Sequence, residues 1–107
     1  MKSTALKNAE EEVIIRRIID GLELPDTVKE YRVSLRADHA GDPGAYILFL
    51  MDDALDEKAF LTEARKVDNL VAFTLLDSPE TEYWPYINFR SAHEQVRLDR
   101  THPGVNW

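Results

Sequence analysis

The stretch Tyr31-Arg32-Val33-Ser34-Leu35-Arg36-Ala37, then Asp38-His39-Ala40-Gly41-Asp42-Pro43-Gly44, then Ala45-Tyr46-Ile47-Leu48-Phe49-Leu50-Met51 decides the fold. Its first part alternates, with Tyr31, Val33, Leu35 and Ala37 on one side and Arg32, Ser34 and Arg36 on the other, which is the period of a half-buried strand. The middle part concentrates turn formers. The last part is apolar on both sides, as expected of a central strand or of one whose second face is also covered. Together they predict a hairpin.

Outward from the hairpin, the spacing of Leu6, Ala9, Val13, Ile14, Ile18 and Leu22 predicts an amphipathic helix over residues 3–22. Ser3 or Thr4 serves as its cap, and Gly21 with Pro25 stops it. On the other side, Asp56 is the expected cap of a second helix running to about Leu76 through Ala59 or Phe60, Ala64, Val67, Leu70 or Val71, and Thr74 or Leu75. Asp68 and Asn69 leave open a break into two shorter helices. Asp77-Ser78-Pro79 turns the chain, and Tyr83 to Phe89 reads as a third strand, at an edge because Pro85 lacks a backbone donor. Residues 92–107 read as a short turn and a tail.

The expected fold is therefore α+β: a two-layer sandwich of order α-β-β-α-β, with a three-stranded sheet and its helices on one face. The 107 residues suffice for one such domain. The order resembles the type II KH arrangement found in ribosome-binding factor A and other bacterial RNA-binding domains, over most of the chain and as topology. KH domains clamp nucleic acid with a Gly-x-x-Gly loop between two helices. Here Gly41-Asp42-Pro43-Gly44 stands between two strands and carries an acid, so the resemblance implies architecture rather than RNA contact.

Composition narrows the function classes. The apolar fraction is 44%, and no apolar run reaches the roughly 18 residues that cross a membrane. No secretory signal follows Met1 to Asn8, so a cytoplasmic protein is expected. Without cysteine there is no disulfide framework, thiolate metal site or cysteine nucleophile. The net charge of -7 disfavours nucleic acid as a partner. No phosphate loop, nucleophile elbow or H-E-x-x-H helix is present, so neither enzyme, metal nor cofactor is expected.

If Ile47, Phe49 and Met51 face the helices, then Tyr46, Leu48 and Leu50 face away, joined by Trp84 and Tyr86 of the adjacent strand. An apolar and aromatic patch of this kind marks an interaction surface. The leading expectation is a regulatory or assembly protein that contacts another protein, or a second copy in a homodimer, through Tyr46, Leu48, Leu50, Trp84 and Tyr86. The competing expectation is that the first helix or the tail with Val105 and Trp107 folds over these residues and makes them core.

Two other readings stand beside it. A divergent RNA-binding module would use Arg32, Arg36 and Arg90 for phosphate contacts. A small-ligand protein or enzyme would use His39 or His93 with neighbouring acids. The acids form two groups, Asp38 and Asp42 with His39 in the hairpin loop, and Asp52 with Asp53 at the far end of the second strand, roughly 24 Å away at about 3.4 Å per residue. A third strand parallel to the second would bring Arg90, His93 and Glu94 toward Asp52 and Asp53; one parallel to the first would bring them toward Asp38, His39 and Asp42. Turn formation and helix capping are the ordinary roles of these acids.

Overall fold

Local chemistry sets the element boundaries. The computed structural model describes residues 4–102, as α1 (Thr4–Asp20), β1 (Val28–Ala37), β2 (Pro43–Met51), α2 (Glu57–Asp77), β3 (Trp84–Ser91) and α3 (Ala92–Thr101). Ser3, Val105 and Trp107 lie outside the described residues. Gly21 closes α1 by donating its amide to the carbonyls of Arg17 and Ile18. Asp56 caps α2, its side chain accepting from the Ala59 amide, and α2 runs unbroken through Asp68 and Asn69. Gly41, at φ +85°, turns the hairpin loop through a conformation that costs glycine little.

The sheet has the order β1-β2-β3. β1 and β2 are antiparallel, with Tyr31 opposite Phe49 and Val33 opposite Ile47. β2 and β3 are parallel, with Ile47 beside Ile87 and Phe49 beside Phe89. The parallel pairing requires a crossover, and α2 is that crossover.

Against one face of the sheet α1 and α2 build the core, in which Ile15, Ile19, Ile47, Phe49, Met51, Val67, Val71 and Leu75 are buried. Burying one such side chain contributes roughly 1.5–3 kcal/mol. The buried stripe of α1 differs from the one expected: Ile15 and Ile19 are fully buried, whereas Val13 is 65% exposed and Leu6 50%. Apolar residues at 13 to 15 and again at 18 and 19 offer two stripes to a helix, and docking against the sheet selects the one with more area to bury. Two long-range bonds tie α1 to the chain entering β3: the Tyr83 hydroxyl donates to Asn8 Oδ1 at 2.6 Å and the Thr81 hydroxyl to Glu11 Oε2 at 2.7 Å.

The stretch expected to be a turn and tail holds a helix. α3 begins at Ser91, whose side chain accepts from the Glu94 amide, and lies on the sheet face opposite α1 and α2. Arg32 and Arg90, which point to that face, bind its side chains Asp99 and Gln95. No helix among the described residues is long and apolar enough to cross a membrane.

Candidate functional site

The face opposite α1 and α2 divides into a covered half and an open half. α3 covers Leu48 and Leu50, which are 1% and 3% exposed; these two expected interface residues are therefore interior in the folded chain. α3 is held by polar contacts. Arg32 makes a forked pair with Asp99, at 3.3 and 3.0 Å, and Gln95, 2% exposed, donates to Asp99 at 2.7 Å and accepts from Arg90. The Arg32 guanidinium, with Gln95, holds the Asp99 carboxyl below its ordinary range.

The open half carries Tyr46, Tyr86 and Trp84. Tyr46 and Tyr86 are register partners and their rings stack at 4.7 Å with 14° between planes. The Arg36 guanidinium lies 3.9 Å from the centre of the Tyr46 ring, the geometry of a cation on an aromatic face. Trp84, two residues before Tyr86 on the same face of β3, is 56% exposed. Gly44 makes the stack fit: a Cβ there would stand 3.0 Å from Tyr86 Cε2, 3.1 Å from Tyr46 Cε2 and 3.2 Å from the Arg36 carbonyl oxygen.

The stack is anchored by Asp38. Its Oδ2 accepts from the Tyr86 hydroxyl at 2.8 Å, while Oδ1 accepts from the amides of Ala40 and Asp42. The hydrogen bond stabilises the neutral phenol and the charged carboxylate together. Tyr86 is thereby pushed up to about 12, and Asp38 lies below its ordinary value, first through Tyr86 and then through the two loop amides. Tyr31, on the other face, also rises to about 12, chiefly by burial and then by its bond to Asp20.

These shifts give a pH expectation with opposite signs at its two ends. The raised Tyr86 contributes stability that is full below the ordinary phenol value of 10.0 and is lost as pH climbs toward about 12. The depressed Asp38 contributes stability that is full above its ordinary carboxyl value and is lost as pH falls through its lowered one. An alkaline titration followed by phenolate absorbance is expected to show Tyr86 and Tyr31 ionising late, and Asp38→Asn to return Tyr86 alone toward 10.0. A Tyr86 titration unchanged in that variant would deny Asp38 this role.

The acid and histidine clusters resolve differently. Because β3 is parallel to β2, Arg90, His93 and Glu94 come to the Asp52–Asp53 end, and Asp38, His39 and Asp42 stay at the other. Asp53 Oδ1 accepts from the backbone amide of His93 at 2.8 Å, so it joins Ser91 in capping α3. Asp52 accepts from the Ala54 amide and pairs with Lys29 at 3.5 Å. Arg90 is turned to Gln95, and His39, His93 and Glu94 are exposed. Among the described residues no group of three or more His, Asp or Glu side chains is placed to hold a metal ion. Of the arginines an RNA module would use, Arg32 and Arg90 bind α3 and Arg36 stacks on Tyr46.

Asp38, Arg36 and Gly44 as supports of the aromatic stack, and Gln95 and Asp99 as anchors of α3, were not anticipated from the sequence. A signal for α3 was present: Ser91-Ala92-His93-Glu94 is the S-x-x-E pattern of a helix start. No signal of that kind exists for Asp38, since its bond to Tyr86 spans 48 positions.

A scan against protein-family models matched none, and searches of curated proteins and of solved structures returned no match.

Proposed function

We propose that this protein is a small docking module that binds another protein through the open half of the sheet face, with Trp84, Tyr86 and Tyr46 as the contact residues. The observation that carries this reading is the exposed indole of Trp84 beside a tyrosine pair already held in place by Asp38 and Arg36. Aromatic rings fixed before binding supply large contact area at little entropic cost, which is why Trp and Tyr dominate the energetic centres of interfaces. Leu48 and Leu50 support the platform from beneath α3 instead of touching the partner. Affinity capture with wild type and with Trp84→Ala tests the reading. A protein retained by wild type is expected to bind the folded variant at least about 30-fold more weakly, the effect of truncating an interface hot spot. Equal retention by the two would remove the platform from the function.

A further inference from the structure

The open edge of β1 is a second feature that the aromatic platform does not use. The Asp38 amide donates to the Asp42 carbonyl at 2.8 Å, in register with the β1–β2 ladder. In an antiparallel ladder the bonding direction alternates along the strand. Arg36, Ser34, Arg32 and Glu30 therefore bond to β2, while Tyr31, Val33 and Leu35 aim their amides and carbonyls away from the sheet. β1 contains no proline, and a long edge of this kind is a template for another strand.

We propose that a second copy of this chain occupies this edge, the two β1 strands pairing antiparallel about a two-fold axis through Val33 to join two sheets into one. Charge selects the register. With Val33 opposite Val33, Glu30 faces Arg36 of the second copy, and the symmetry repeats that pair. Shifting by two residues in either direction loses the Glu30–Arg36 pair, setting Arg32 against Arg32 one way and against Arg36 the other. Larger shifts shorten the pairing. Tyr31, Val33 and Leu35 keep to the core side throughout, so the apolar layer runs on across the join.

α1 supplies a second, independent contact at the same place. It runs antiparallel to β1 along the edge, with the Asn8 amide reaching the Leu35 carbonyl at 3.4 Å and the Arg16 carbonyl near the Tyr31 hydroxyl at 3.4 Å. Val13 falls between these anchors along α1, as Val33 does along β1. It is the 65% exposed residue that the core leaves out, and Ala9 beside it is also exposed. A second copy would cover both. The Asn8 contact does not have to be dismantled, because a carbonyl has two lone pairs, one for Asn8 and one for an incoming amide.

Light scattering on the full chain tests the proposal, with circular dichroism to establish that each variant is folded. Wild type is expected at twice 12.3 kDa, and Arg36→Glu, which sets two acids opposite each other twice, near the single mass. The swap Glu30→Arg with Arg36→Glu is expected to regain the dimer. Val13→Glu lies at an exposed position that the fold does not depend on, so it reads the interface even if Arg36→Glu unfolds; it too should raise the dissociation constant at least about tenfold. Amide exchange in the wild type should slow at Tyr31, Val33 and Leu35 as protein concentration rises. A wild type of single mass at its highest soluble concentration, or a dimer indifferent to Val13→Glu, overturns the proposal, and failure of the swap to restore the dimer overturns the register.

Discussion

Replacing Leu48 with glutamate is expected to lower the melting temperature by about 12–24 °C, the equivalent of roughly 3 kcal/mol in a chain of this size. Leu48 is 1% exposed and stands opposite Arg32 in the ladder. A carboxylate placed there is taken from water without a partner of its own, because Arg32 is committed to Asp99 through a forked pair and to Glu30 at 3.7 Å. Drawing Arg32 to the new acid would release the helix it anchors, and leaving it in place would bury an unpaired charge; both routes are costly. The position thus behaves as interior, whereas the same substitution on a contact surface would leave a folded chain with its melting point intact. Thermal unfolding followed by circular dichroism decides between the two. An unchanged transition would mean that α3 does not cover the sheet in solution.

The second large effect is expected at Phe49, where alanine should cost about 3–5 kcal/mol, the usual penalty for emptying a buried aromatic site. Phe49 sits on the central strand, fully buried. It stacks on Phe89 at 5.6 Å and leans on Tyr31 at 6.0 Å, so its ring joins all three strands beneath the two helices. None of these neighbours can close the void without leaving its own strand. Against a total stability of roughly 5–15 kcal/mol, the loss should move the urea midpoint by a unit of molarity or more at about 1–3 kcal/mol per molar. Phe73→Ala is the control. That ring is 74% exposed, and surface substitutions usually stay within about 0.5 kcal/mol. Equal effects at the two positions would contradict the core described above.

The two substitutions probe opposite faces of one strand, and that strand explains the division of labour in the molecule. β2 is apolar on both sides because both sides are covered along most of its length. Only at Tyr46, beyond the reach of α3, does its outer face come into the open, and there the chain supplies Gly44 to seat the rings and Asp38 to fix Tyr86. The stacked and exposed rings thus stand where the covering helix ends. They rest on the hairpin loop, whose Asp38 carboxylate serves turn and platform together.

What the sequence determined by itself was whatever depends on near neighbours. Alternation in Tyr31–Ala37, the glycines and aspartates of the turn, the apolar run of Ala45–Met51 and the cap at Asp56 each act within a few residues, and each element forms around those signals, although β1 begins at Val28 and β2 at Pro43, inside the expected loop. Tertiary structure alone decided the direction of β3, the inner stripe of α1 and the fate of Leu48 and Leu50. Val13 and Ile15 are equally apolar, so only contact with the sheet could choose between them. Leu48 reads the same whether a partner or α3 lies over it, and the choice was made by Asp99 meeting Arg32 across 67 positions. Local period states that a face must be covered; long-range packing states by what.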